Sequence, residues 1–173
     1  MNEVYCFGSG EIDQLGLGED VLECKRPRKV FPNSTYPNIK VVKIACGAMH
    51  TLLISSMGEV YSWGCNDDFA LGRTQSESNV PGKVEIQFPM SDISAGDSHS
   101  TAYNCELNQV FLWGTYRNTE GKFGESIKQP QLLDKRRYKG KVSKVVCGSN
   151  HTIMLASQKV YLWGNSEFCQ TGR

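Results

Sequence analysis

Cysteine and histidine recur at a spacing that could hold a metal. Cys46-x3-His50 lies in ACGAMHT and Cys147-x3-His151 in VCGSNHT, and thiolate with imidazole is a zinc-ligand pairing. The middle copy, SAGDSHS, carries Ala95 at the cysteine position and keeps His99, so these histidines read as turn residues bonded to the backbone, and no metal is expected. Asp97-Ser98-His99 contains the residue types of a hydrolytic triad, but sequence neighbours cannot converge on one substrate atom. The sequence contains no GxSxG, HExxH or P-loop, so neither covalent catalysis nor a cofactor is expected. Two basic runs, Lys25-Arg26-Pro27-Arg28-Lys29 and Lys135-Arg136-Arg137-Tyr138-Lys139, read as solvated loops beside edge strands, where positive charge opposes pairing. Phosphate contact through them would give affinity without sequence choice. Recognition is the chemistry that remains. Met49-His50, Asp97-Ser98-His99 and Ser149-Asn150-His151 vary within a constant Gly-x-x-His frame, and varied polar residues on a fixed frame suit a binding face.

That frame belongs to a repeat. VYCFG at 4–8, VYSWG at 60–64, VFLWG at 110–114 and VYLWG at 160–164 start 56, 50 and 50 residues apart. All three tryptophans, Trp63, Trp113 and Trp163, occupy one slot, which Phe7 fills in the first copy. A period of about fifty residues indicates stacked modules. Within a period, a compact apolar run (41–46), a second run (50–54) and an alternating one (59–63) precede a leucine-glycine loop (70–73). A proline-led segment (81–86) follows, fitting an outer edge strand. Four antiparallel strands per period describe a propeller blade. One aromatic per blade fills the gap to its neighbour. Gly64, Gly114 and Gly164 end the strand after it, where a side chain would obstruct the turn.

The third copy breaks the pattern. Where the others turn into CNDDFALGR and NSEFCQTGR, it reads TYRNTEGKFGES, with Asn118-Thr119-Glu120-Gly121 as turn chemistry between Tyr116-Arg117 and Lys122-Phe123. A small projecting hairpin is expected. From the residues alone, a binding projection and a neutral loop variation are both open.

Bulk properties exclude little. The 173 residues carry a net charge of +1, no steering field for nucleic acid or membrane, and no run long enough to cross a bilayer as a helix. No secretory leader is visible in MNEVYCFGSGE. Seven cysteines without a CxxC pair read as buried free thiols of a reducing compartment.

VYxWG, the leucine-glycine turn, the proline-led strand and CGxxHT together resemble the regulator of chromosome condensation repeat, across essentially the whole chain. Kelch and WD40 propellers fit less well, since neither a Gly-Gly doublet nor a Trp-Asp dipeptide occurs. The resemblance implies an all-β, partial seven-bladed β-propeller of about three four-stranded antiparallel blades plus an N-terminal half blade. The expected divisions are outer strands of a split blade at 1–39, a repeat at 40–89, a repeat at 90–139 with a wedge hairpin at 115–123, and a truncated repeat at 140–173. On this view the chain is the first part of a longer ring.

WGTYRNTEGKFG, GCNDDFALGR, VPGKVE and SAGDSHS are similar to the exchange-factor branch of that family. The resemblance then implies guanine-nucleotide exchange on the small GTPase Ran in the nucleus, by binding and without bond making. The wedge would comprise Tyr116, Arg117, Asn118, Thr119, Glu120, Gly121, Lys122 and Phe123, with Glu125 in uncertain register. The partner face would include Glu11, His50, Asp97, His99 and Asn150. Glu11 stands where the family has aspartate, and Asn150 replaces another aspartate and so removes a charge. The family's chromatin and histone contacts lie outside this segment. Two alternatives stand beside exchange: a non-catalytic interaction adaptor and an inactive truncated product.

Overall fold

The computed structural model describes residues 3–18, 21–30, 39–74 and 77–172. Parts of the expected 1–39, 40–89 and 140–173 divisions, Arg173 of QTGR among them, lie outside the described residues. Among the described residues, thirteen strands form four antiparallel sheets. Sheet 1 pairs β1 (Tyr5–Ser9) with β2 (Glu23–Lys29). Sheet 2 runs in chain order through β3 (Val41–Cys46), β4 (His50–Ser55), β5 (Val60–Gly64) and β6 (Gly82–Lys83). Sheet 3 comprises β7 (Asp92–Ala95), β8 (His99–Asn104), β9 (Gln109–Asn118) and β10 (Gly121–Leu132). Sheet 4 holds β11 (Val142–Cys147), β12 (His151–Ala156) and β13 (Lys159–Gly164). Each sheet is a sequential meander, the topology of propeller blades. No helix among the described residues is long and apolar enough to cross a membrane.

The core lies between sheets rather than within one. Val4, Val30, Val41, Leu53, Tyr61 and Trp63 join sheets 1 and 2. Leu52, Val60, Val84, Ile93, Ala102 and Trp113 join sheets 2 and 3. Tyr103, Val110, Tyr138, Val142, Val145 and Met154 join sheets 3 and 4. A strand inside the stack is therefore covered on both faces, which is why β4 and β5 are buried at every residue. β13 repeats the sequence of β5 but is exposed or half-buried along its length, because no described sheet covers its outer side. Sequence sets the strand; neighbours set its burial.

The aromatic slot obeys the same rule and corrects one expectation. Trp63 and Trp113 are buried, Trp163 is half-buried, and Phe7 is 67% exposed. Two of the indoles pack backward on the preceding sheet's loop: Trp63 Nε1 donates to the Gln14 carbonyl at 3.0 Å and Trp113 Nε1 to that of Ala70 at 2.7 Å. No sheet among the described residues packs over Phe7. Gly72 makes the approach possible, since at φ +66° it adopts a left-handed turn, and a Cβ there would meet the Trp113 ring at 2.7 Å. The proline-led strand is shorter than expected, only Gly82–Lys83, although Val84 N–H still bonds the Val60 carbonyl at 2.9 Å. There the buried Arg73 guanidinium lies where a Gly82 side chain would be.

The cysteines depart from the expectation of burial. All seven are free, but only Cys24 is buried, and Cys46, Cys105 and Cys169 are exposed. Cys46 lies on β3, an edge strand of its sheet that is exposed from Val42 to Ile44 as well.

Candidate functional site

The turns that follow the innermost strands (47–49, 96–98, 148–150) share one end of the stack with the connections leaving β5, β9 and β13. They must, because His50, His99 and His151 each sit opposite the glycine after the aromatic slot: Gly64 and Gly164, which end β5 and β13, and Gly114, past which β9 continues to Asn118 and so departs from the expected strand end. At Gly114 a side chain would meet the Ser98 carbonyl at 2.4 Å, so the turn closes only over glycine.

His50 and His99, expected on the exposed face, are instead each 1% exposed. They link sheets. His50 Nε2 reaches Ser100 Oγ at 2.8 Å, and His99 Nε2 reaches Thr152 Oγ1 at 3.1 Å. Burial holds both neutral, lowering His50 to about 4 and, with the neighbouring His50 also opposing charge, His99 to about 3. Both rings turn inward between sheets, Ser98 beside His99 is buried with it, and Met49 beside His50 is half-buried. Asp97 is half-buried, with its N–H on the Ser149 carbonyl at 2.9 Å, and Glu11 is exposed.

β9 and β10 run past the sheet and close in a hairpin at residues 118–121, with Asn118 opposite Gly121, Arg117 opposite Lys122 and Tyr116 opposite Phe123. Asn118 Oδ1 accepts from Glu120 N–H at 3.0 Å, an Asx turn that fixes the tip. Glu120, Phe123 and Glu125 are exposed, and Phe123 at 45% is an apolar group offered to solvent at the tip.

The hairpin is fastened on both sides. Toward sheet 2, Arg117 Nε and Nη2 lie 2.6 and 2.5 Å from Asp68 Oδ2, Lys122 Nζ lies 3.2 Å from Oδ1, and the Thr115 hydroxyl donates to the Asp68 carbonyl at 2.9 Å. Burial alone would push the Asp68 carboxyl up. The Arg117 hydrogen bond, with Ser98 and the Lys122 ammonium close by, outweighs it and holds the group below the usual carboxylate range. Toward sheet 4, Asn150 Oδ1 accepts from Arg117 N–H at 2.9 Å and Asn165 Nδ2 donates to the Arg117 carbonyl at 3.0 Å. Glu167 accepts from Thr119 N–H at 2.9 Å and from the Thr119 hydroxyl, contacts that lower its pKa. The Tyr116 ring rests 4.3 Å from that of His99 with its hydroxyl 2.9 Å from Thr152 Oγ1, and burial raises its pKa.

Between the hairpin and the 149–151 and 165–170 loops lies an open groove of roughly 480 Å³. The structure thus brings the hairpin and Asn150 together and leaves Asp97 on the neighbouring turn, while Glu11 belongs to the sheet 1 loop. Asp68, Asn165 and Glu167 have no signal in the sequence, since each meets the hairpin across 48 or 49 residues. The hydroxyl–imidazole pairs Ser100–His50 and Thr152–His99 are buried between sheets, away from any substrate. What remains at the surface is the hairpin and its groove. They offer shape and charge.

A family model described as the regulator of chromosome condensation (RCC1) repeat matches residues 2–54 and 57–103. The regulator of chromosome condensation of Mus musculus is 42% identical over 98% of this chain and 40% of its own length. Guanine nucleotide exchange factor SRM1 of Saccharomyces cerevisiae is 29% identical over 99% of this chain and 43% of its own. A crystal structure of Prp20p from Saccharomyces cerevisiae, described with its binding properties to Gsp1p and histones, superposes with a TM-score of 0.90 at 32% identity. It covers 99% of this chain and 43% of that one. The chain spans about two-fifths of the length of the curated relatives it matches.

Proposed function

The chain belongs to the regulator of chromosome condensation repeat family, and from that premise we propose that it serves guanine-nucleotide exchange on the small GTPase Ran in the nucleus. The observation that carries the proposal is the hairpin of residues 115–125, rooted on the sheets to either side and projecting past the blade with Glu120 and Phe123 exposed. It is the only place among the described residues where a blade's third and fourth strands extend beyond the sheet as a pair.

Exchange needs binding, not bond making. A protein that grips the nucleotide-free GTPase more tightly than the loaded form must weaken nucleotide affinity by the same factor. A hairpin pressed against the phosphate site displaces the loop amides and cation contacts that hold the phosphates. Asp97 and Glu120 supply negative charge for the basic groups so released. Phe123 supplies apolar area at the contact. Glu11 belongs to the same face.

Release of labelled GDP from purified Ran tests this. The protein is expected to accelerate release, and deletion of residues 118–121 to abolish the acceleration. Asp97→Ala is expected to reduce it about tenfold or more, the loss of one charge-assisted contact of about 1.5–3 kcal/mol. Release unchanged by the hairpin deletion would overturn the proposal.

One observation favours a second reading, an interaction adaptor without exchange. The Asn150 side chain is neutral and already engaged by Arg117 N–H, so it offers no charge where the resemblance expects aspartate. Stable binding of Ran with no acceleration of GDP release would select that reading.

A further inference from the structure

Asp68 and Phe69 lie on the connection leaving β5, yet their partners lie on the hairpin of the next sheet. Among the carboxylates of that face, Asp68 is the buried one, with its side chain 4% exposed. A carboxylate so placed is stable only when its charge is met. The hairpin meets it from both arms, with Arg117 from the outgoing strand and Lys122 from the returning one. Phe69 extends the contact along the returning arm, its ring 5.9 Å from Lys122 Nζ and 5.3 Å from Lys128 Nζ. Thr115 closes the base against the Asp68 carbonyl. Phe69 is held at φ +63°, a left-handed conformation for a residue with a full side chain, which turns the ring toward those lysines.

We infer that Asp68 is a positioning residue: it latches the 115–125 hairpin to the loop of the preceding sheet, so that the hairpin meets its partner already shaped. The second half of this statement rests on the exchange reading above; the first does not. Asp68 itself touches nothing outside the protein. A two-stranded ribbon projecting from a sheet is marginal without side support. The cations that straddle Asp68 fix both its arms at once. Ran still docks on the rest of the face when the hairpin is loose, so the bound complex is productive only while the hairpin holds its shape, and the maximal rate falls by that fraction.

The test uses the full chain with Asp68→Asn, Asp68→Glu and Lys122→Gln, read by amide hydrogen exchange and by GDP release from Ran. Asp68→Asn is expected to speed amide exchange at residues 115–123 about tenfold or more, with β8 amides unchanged. It is expected to lower the maximal rate of GDP release about tenfold while the half-saturating concentration of Ran stays within about twofold. Asp68→Glu keeps the charge and restores most of both. Lys122→Gln removes one exposed partner and gives a smaller change in the same direction.

Each failure has its own meaning. Hairpin amides as protected in Asp68→Asn as in the parent overturn the latch. A loosened hairpin with an undiminished maximal rate overturns the positioning role. A parent protein without exchange activity overturns the exchange reading and the positioning role, and leaves the latch to the amides. Should Asp68→Asn lose its cooperative fold, Lys122→Gln decides, and unchanged protection there overturns the latch.

Discussion

Two junctions between sheets are built from the same parts and finished differently. Between sheets 2 and 3, His50 reaches Ser100, the Ser100 hydroxyl donates to the Ala70 carbonyl at 2.9 Å, and Trp113 Nε1 donates to the same carbonyl. Between sheets 3 and 4, His99 reaches Thr152, and Thr152 meets the Tyr116 hydroxyl. The carbonyl that would receive Trp163 is missing, because the leucine-glycine turn that carries it has become the hairpin. The Trp163 indole N–H lies near the Tyr116 phenol but finds no acceptor in hydrogen-bonding geometry. A blade can thus give up its regular turn for a projection if one hydroxyl replaces one carbonyl. The exchange is imperfect, and the imperfection falls on the tryptophan.

The largest expected effect separates these junctions directly. Trp113→Ala empties a buried slot and removes a satisfied N–H, and is expected to cost about 3–5 kcal/mol in chemical denaturation. Trp163→Ala, at a half-buried and unpaired indole, is expected to cost clearly less. Equal losses would break the comparison. Acid is the next lever. Both histidines are neutral when folded, at about 4 for His50 and about 3 for His99, whereas the unfolded chain takes up protons from about 6.5. Their contribution is therefore whole above pH 6.5 and drains away as pH falls toward 4, by on the order of 3 kcal/mol at His50. Ring titration by NMR is expected to find both rings well below 6.5, and a ring titrating near 6.5 would mean that water reaches its junction.

The repeat, the strands and the blade were legible in the sequence because each rests on a local pattern: VYxWG, Gly-x-x-His and period-two runs read the same in every copy. The burial of His50 and the exposure of Phe7 were not, since both depend on which sheet stands alongside. The hairpin turn was legible from Asn118 to Gly121, because an Asx turn is local chemistry. What holds the hairpin was hidden. Asp68 reads as one of two acidic loop residues, and only the fold shows it facing Arg117 while Asp67 faces solvent.

The smallest effects probe the single substitution on which the two junctions differ. Ser100→Ala removes the acceptor of a buried imidazole N–H and one of two donors to Ala70, and is expected to cost about 1–3 kcal/mol, the penalty for a stranded buried group. Tyr116→Phe leaves the ring on His99 and leaves Thr152 able to accept from it, so only one hydroxyl pair is lost, at about 0.5–1.5 kcal/mol. The order follows from the chemistry of the final acceptor. A carbonyl can only accept, so Ser100 has one useful orientation and its loss breaks a directed chain. Two facing hydroxyls can each donate or accept, so Thr152 can turn to another partner when Tyr116 loses its oxygen, and Cys147 Sγ at 3.8 Å is within reach. A Tyr116→Phe loss as large as that of Ser100→Ala in matched denaturation curves would mean that the phenol carries the junction alone, as the Ala70 carbonyl does next door.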